Sequence, residues 1–341
     1  MSSAKQRILV LGGTGFLSSA LVGQSLAAGH DVTIVTRGRA KSGPPAGVSA
    51  VIANRSEPNA LRAALADQGD FDLVLDAILY RPDDARAALD LFRGRTSRYV
   101  FISTDFVYGG EPRMFPLAED APRQAASAYG RDKAACEDVF FAAWERERFP
   151  AVVLRPPHIL GAGCLLGTGS REGRDPWLLH RLRQGEPVAL LDGGALLIQP
   201  VHRDDIARAC LAVAASEQTP GRAYNIAGPD AVTTRRYYEM VAEAAAAPPP
   251  NVSSLPSEAF VAVFPDRAPF TLNRCYSLNR LAADADFTPR MRLFDAIVEV
   301  VAALDAAGPP PGEPPPPAQT TPLHLLLQTQ SAALRETLRG S

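Results

Sequence analysis

Lysine is nearly missing from these 341 residues: three lysines stand against thirty-two arginines. Cysteine is scarce too. Its four copies, Cys136, Cys164, Cys210 and Cys275, lie far apart with no C-x-x-C pair, which excludes a disulfide framework or a cysteine-built zinc site. An excess of charge of one sign is absent, since the net charge is −2, so no nucleic-acid footprint is expected. Long apolar runs are absent as well. The run at 8–11 is too short for a secretory h-region or a membrane span. The composition therefore leads us to expect a cytoplasmic enzyme of a small molecule, with no metal site and no membrane partner. The length suits one large α/β domain with an appended lobe.

Against that scarcity, Lys133 stands out, because it follows Tyr129 by four residues. Residues four apart share a helix face. An ammonium beside a phenol is expected to lower the phenol's pKa and make it a proton donor and acceptor near neutral pH. The pair alone also fits an exposed helical tyrosine and lysine.

Apolar periodicity gives a buried strand at 7–12, a helix at 16–28 and a strand at 31–36. Further strands are expected at 48–53, 73–79, 99–103 and 152–154, with helices near 58–66, 82–92 and 127–148. Pro82 suits a first helical turn. Strands alternating with helices, several of them continuously apolar, argue for a doubly wound parallel sheet covered on both faces. After Arg155 the pattern turns irregular. A short helix is expected at 177–184, a strand at 195–201, helices at 204–215 and from Thr234 to about 247, a strand at 223–226, and one more helix within 290–304. Residues 308–317 are almost all proline and read as an extended spacer. The leucines beyond it suit either a flexible tail or a short helix docking on the domain or on a partner.

Gly12-Gly13-Thr14-Gly15-Phe16-Leu17-Ser18 follows a strand and opens a helix. That is the context of a pyrophosphate loop, in which glycines admit the phosphates to the backbone and the helix N-terminus receives their charge. Ser18 replaces the third glycine. The second strand ends in Thr36-Arg37-Gly38-Arg39, with guanidinium groups where an acid would bind a ribose 2′-hydroxyl. NADP(H) is therefore expected over NAD(H).

Taken together, these motifs resemble the extended short-chain dehydrogenase/reductase family, the NAD-dependent epimerase/dehydratase group. The loop resembles its G-G-T-G-F-[IL]-G, and Tyr129-Gly130-Arg131-Asp132-Lys133 its Y-x-x-x-K. The run from Ser103 through Thr104, Asp105, Phe106, Val107 and Tyr108 to Gly109 resembles its S-[ST]-x-x-V-Y-G. The resemblance implies a Rossmann-type fold. It also implies Tyr129 as acid/base, Lys133 as its partner at the nicotinamide ribose, and Thr104 on the reacting oxygen. Gly12, Thr14, Gly15, Phe16, Leu17 and Arg37 would hold the cofactor, with Asn54 and Arg55 near its adenine. Ala77 and Ile78 would line it, as would Pro156 and His158 of the R-P-x-x segment. A homodimer through the helices at 82–93 and 127–148 is also implied.

Two departures narrow the chemistry. Sugar-nucleotide dehydratases of the family carry Asp-Glu for water elimination; here Asp105 is followed by Phe106, whose ring cannot abstract a proton. Ile198 stands where an arginine clamps the substrate diphosphate. His202 and Asp205 read as structural, tying the lobe to the next helix. We therefore expect an NADP(H)-dependent oxidoreductase acting at a ketone or secondary alcohol of a small molecule. A specialised metabolite or a sugar derivative fits. The alternatives are an epimerase or dehydratase with tightly held cofactor, and a non-catalytic cofactor- or RNA-binding protein of the same fold. The expected organisation is a dinucleotide-binding domain at 1–155, continued by about 200–228. A discontinuous substrate lobe occupies 156–199 and 229–305, followed by the proline-rich segment 306–341.

Overall fold

A computed structural model describes residues 5–39, 43–110, 114–168 and 174–313. The leucines expected on one helical face beyond residue 313 lie outside the described residues.

The first compact unit comprises Met1–Ile159, Gln199–Pro229 and Cys275–Met291. It opens with β1 (Arg7–Leu11), α1 (Phe16–Ala27), β2 (Asp31–Thr36), β3 (Val48–Ile52) and α2 (Pro58–Ala64). It continues with β4 (Phe71–Asp76), α3 (Pro82–Phe92), β5 (Thr96–Ile102), α4 (Ala128–Glu147) and β6 (Ala151–Arg155). The sheet runs β3-β2-β1-β4-β5-β6, followed by the strand Ala223–Asn225. Every pairing is parallel. Strand order reverses between β1 and β4, which puts the ligand crevice of such a sheet at their carboxyl ends.

The central strands are largely apolar because both faces are covered, while β3 at the sheet edge is mostly exposed. Ile8 and Val10 face a core shared with α1 and the helix Arg203–Ala215. Leu9 and Leu11 face the opposite core, with Phe92 of α3 and Phe140 of α4. Alternate side chains point to opposite faces, so a strand buried on both sides loses its polar positions.

The unit boundaries differ from the sequence expectation. Residues 156–159, expected in the lobe, fall in this first unit. Residues 275–291 belong to this first unit and not to the lobe. Polar clamps explain it. Leu117 exchanges backbone bonds with Cys275 and Ser277 (both 2.8 Å). Asp205 accepts from the Arg290 and Met291 amides at 3.0 and 2.9 Å. Asp205 is thus structural, as its sequence position suggested, but what it ties down is the return of the chain to the sheet.

The second unit comprises Leu160–Ile198, Asp230–Arg274 and Arg292 onward. The strand Pro187–Leu191 pairs in parallel with Asn251–Leu255, and Leu197–Ile198 pairs antiparallel with Val232–Thr233. A small core of Leu191, Leu255 and Phe260 packs below. Thr233 caps the helix Thr234–Ala244, accepting from the Arg236 amide at 3.2 Å. The single strand expected at 195–201 is broken into Leu197–Ile198 and Val201–His202. The residues between are Gln199, whose side chain donates to the Gly228 carbonyl (2.8 Å), and Pro200, which has no amide to donate.

Candidate active site

The loop after β1 is shaped by packing. Gly12 and Gly13 take φ of +112° and +108°, a region that side-chain-bearing residues rarely enter. A Cβ on Gly13 would lie 2.6 Å from Ile34 Cγ2. Thr14 and Gly15 are exposed at the start of α1, and a Cβ on Gly15 would meet only Ser18 Oγ. Ser18 is buried, and its hydroxyl accepts from the Gly15 amide at 3.0 Å, so the serine closes the turn from within. This bare cradle at a helix N-terminus fits a dinucleotide pyrophosphate. Phe16 and Leu17 are half-buried behind it, and the Arg203 guanidinium lies 5.3 Å over the Phe16 ring. Ile78 Cγ2 approaches a Gly12 Cβ position to 3.5 Å, bringing the end of β4 to the loop. Ala77 packs on the sheet core beside it. Arg37 and Arg39 are exposed past the end of β2.

Two residues expected near the adenine are engaged with the protein. Asn54 donates to Glu57 at 2.8 Å and accepts from the Ser56 amide, capping the turn before α2. Arg55 is turned inward, only 6% exposed, onto the fully buried Asp76, which also receives the Tyr99 hydroxyl. A carboxylate without solvent needs such partners. Burial alone would lower the Arg55 pKa; Asp76, with Tyr99 and Asp84, outweighs it and the net shift is upward. Asp76 in turn accepts from the Ile78 amide at 3.1 Å, so this ion pair braces the segment expected to line the cofactor.

Tyr129 begins α4, capped by Ser127 Oγ on the Gly130 amide at 3.1 Å. Gly130 permits the helix to meet the turn Asp105–Val107, because a Cβ there would fall 2.2 Å from the Phe106 carbonyl oxygen. We expect Gly130→Ala to lower the unfolding free energy by about 1–3 kcal/mol through overpacking, read by urea denaturation. An unchanged midpoint would mean that the turn can move aside.

Lys133 is 2% exposed and donates to the Leu79 carbonyl (2.7 Å) and the Ile102 carbonyl (2.8 Å). It thereby ties together the ends of β4 and β5. Its ammonium lies 4.8 Å from the Tyr80 and Phe101 ring centroids and 5.9 Å from that of Tyr129. Burial pulls its pKa down to about 8, against the opposing pull of Asp76. The lowering of the Tyr129 phenol expected from the sequence is not what this arrangement gives. Tyr129 is 42% exposed, yet desolvation first, then Tyr80 and Asp105, push its pKa up, against a hydrogen bond with Thr104. Two of the lysine's protons go to the Leu79 and Ile102 carbonyls and not to the phenol.

The chain therefore brings together Tyr129, Thr104, Asp105 and Lys133 at the carboxyl ends of β4 and β5. Thr104 accepts from the Phe106 amide and donates to Asp105 Oδ1, both at 3.3 Å. Ser103 is directed away, to Glu137 at 2.6 Å. The Pro156 carbonyl receives the Asp105 amide at 3.1 Å, and the His158 carbonyl receives the Val201 amide at 2.9 Å, so the R-P-P-H segment holds the centre through its backbone. His158 itself is 9% exposed.

Sequence reasoning missed Tyr80, Phe106 as a wall, and Tyr276. Tyr80 and Phe106 flank Tyr129 with ring centroids at 6.5 and 6.2 Å. An aromatic residue just past a sheet strand could have signalled Tyr80. Nothing near Tyr276 marks it. Within the second unit, Ile198 is buried and lines a cavity of about 20 Å³ with Tyr238, Phe270 and Arg274, room for one water. Its aliphatic side chain offers no phosphate clamp.

The comparisons agree with this geometry. The NAD-dependent epimerase/dehydratase family model matches residues 8–227. The 2′-dehydrokanamycin reductase of Streptomyces kanamyceticus is 31% identical over 255 residues, covering 74% of this chain and 70% of that protein. The dTDP-6-deoxy-L-talose 4-dehydrogenase (NAD(P)(+)) of Kitasatospora kifunensis is 27% identical over 330 residues, covering 89% and 98%. In fold, the UDP-glucose 4-epimerase of Thermus thermophilus in complex with NAD superposes with a TM-score of 0.70 at 22% identity, over 88% of this chain and 99% of that one. Among the described residues no helix is long and apolar enough to cross a membrane. With the glycine cradle, the reversed strand order and the family match over most of its length, the chain belongs to the NAD-dependent epimerase/dehydratase family.

Proposed function

We propose that this protein is an NADP(H)-dependent reductase acting at a ketone of a small molecule, with the reverse reaction at the secondary alcohol. The observation that carries the reading is the juxtaposition of Tyr129, Thr104 and Lys133 beside the glycine cradle, with Phe106 where an elimination base would stand. A bound nicotinamide cofactor supplies or takes the hydride. Tyr129 gives the proton to the carbonyl oxygen. Thr104 orients the phenol, and Lys133 fixes the ends of β4 and β5 that frame the centre. The relative that acts as a 2′-dehydrokanamycin reductase supports reduction of a cyclic ketone, such as one on an amino sugar. The test is NADPH consumption against a panel of cyclic ketones and keto-sugars. Protein that purifies with cofactor held at one per chain, and turns over none, would favour an epimerase.

The preference for NADP(H) rests on Arg37 and Arg39, exposed past β2 with no acid beside them at that strand end. Guanidinium groups suit a 2′-phosphate. A lost charge-assisted bond is worth about 10- to 100-fold in affinity. Arg37→Ala is therefore expected to weaken NADPH binding by that factor and to leave NADH almost unchanged, measured by cofactor fluorescence. Equal losses for both cofactors would remove the argument.

A further inference from the structure

We propose that Tyr276 is a positioning residue of the catalytic centre: its hydroxyl anchors Asp105, and Asp105 holds the Thr104 proton, so that Thr104 meets Tyr129 as a hydrogen-bond acceptor. The inference rests on reading Tyr129 as the acid/base.

The geometry is a chain of donors ending on one carboxylate. Tyr276 donates to Asp105 Oδ2 at 2.7 Å, and Thr104 donates to Asp105 Oδ1 at 3.3 Å. A threonine hydroxyl has one proton. Given to Asp105, it leaves the lone pairs of Thr104 to the Phe106 amide and open to Tyr129, its other hydrogen-bond partner. Tyr276 and Asp105 are 3% and 4% exposed, so their bond is made without competition from water.

The placement of Tyr276 is over-determined. Its amide donates to Gln199 Oε1 at 2.7 Å, and its backbone neighbours are paired to Leu117. Its ring stacks on Tyr108 with centroids 6.0 Å apart and planes at 29°. A phenol fixed by so many contacts holds Asp105 in one position.

The consequence is a switch of one hydrogen bond. Once Tyr129 has given its proton to the substrate oxygen, it is a phenolate. The Thr104 proton then swings from Asp105 to that phenolate, and the Tyr276 hydroxyl keeps a donor on the carboxylate that Thr104 has left. No bond other than hydrogen bonds changes. Without Tyr276, Asp105 would hold Thr104 more tightly and oppose the swing.

The first readout follows Tyr129 directly and needs no substrate. Full-length protein carrying ¹³Cζ-tyrosine is titrated from acid to neutral pH, with and without saturating NADP⁺. The Tyr129 signal is identified by its loss in Tyr129→Phe. We expect that signal to show an inflection as Asp105 ionises and reorients Thr104. Asp76, Lys133 and Tyr80 are titratable groups facing this centre, with Arg55, Cys136 and Glu137 behind the lysine. Asp105→Asn is therefore the control, and it should abolish the inflection. Tyr276→Phe keeps the ring and should move the inflection up by about one pH unit, since the carboxylate loses a donor. Hydride transfer in Tyr276→Phe should fall about 10-fold with KM for NADPH unchanged. An inflection at the same pH in Tyr276→Phe, or one that survives Asp105→Asn, overturns the proposal. If these shifts appear but no ketone is reduced by the wild-type protein, the reductase reading fails and the positioning role stands.

Discussion

Replacing Tyr129 by Phe should lower hydride transfer by about 10²- to 10⁴-fold, the usual contribution of a positioned acid/base, while cofactor affinity stays within about twofold. The two effects separate because different elements carry them. The cradle that would hold the pyrophosphate is fixed by Gly13 against Ile34 and by Ser18 on the Gly15 amide. None of those contacts involves Tyr129. Lys133 is fixed by the Leu79 and Ile102 carbonyls, not by the phenol, so its position survives the substitution. The ring itself remains wedged between Tyr80 and Phe106, so Phe at 129 keeps the packing. Stopped-flow NADPH oxidation and a fluorescence titration of the same variant give the two numbers. Turnover unchanged in Tyr129→Phe would show that the proton comes from elsewhere. Turnover and cofactor binding lost together would show that the residue shapes the fold.

Why the sequence disclosed some of this and not the rest follows from where each contact is made. The cradle was legible because its determinants are contiguous: a strand, four residues of tight loop and a helix. The Tyr129–Lys133 pair was legible because one helix face carries both. Their electrostatics were not, since they depend on residues distant in the chain: Tyr80 after β4, Asp105 after β5 and the carbonyls of 79 and 102. Arg55 shows the same limit. Its neighbour Asn54 suggested the adenine end of the cofactor, but the partner that turns it inward, Asp76, is 21 residues away. The return of 275–291 to the first unit was hidden for a similar reason. Its clamps are the side chains of Asp205 and Gln199 and the backbone of Leu117, with no periodicity to announce them. The broken strand at 195–201 was misread because its apolar residues suit a strand, while Gln199 and Pro200 divert the backbone.

Glu137→Gln should destabilise the fold by about 3–5 kcal/mol, a large share of the roughly 5–15 kcal/mol that holds a typical domain together. Glu137 is fully buried on α4, and its carboxylate is the hub of the polar network below the catalytic centre. Oε1 accepts from Ser103 at 2.6 Å and from Arg155 Nε at 3.0 Å. Oε2 accepts from a second Arg155 nitrogen at 2.7 Å and from Arg123 at 3.2 Å. Arg155 also donates to the Tyr108 hydroxyl at 2.8 Å and to the Glu119 carbonyl at 3.0 Å, and Tyr108 donates to Asn225 at 2.6 Å. Burial alone would lower the Arg155 pKa, but the Glu137 charge and its hydrogen bonds raise it, so the guanidinium stays charged in the interior. Glutamine keeps the shape of the hub, removes its charge, and turns an amide donor toward a guanidinium that can only donate. The loss should therefore exceed that of a neutral hydrogen bond, about 1 kcal/mol. Pairing Glu137→Gln with Arg155→Met removes the stranded charge and should recover part of the stability, because apolar replacement of a whole buried pair is often close to neutral. Urea denaturation of the two single variants and the double variant supplies the cycle. A single-variant loss under about 1 kcal/mol, or no recovery in the double, would mean that water already compensates the pair. The network reaches the active site through Ser103, the residue before Thr104. Glu137→Gln should therefore also loosen the end of β5, on which the proposed proton donor and its orienting hydroxyl depend.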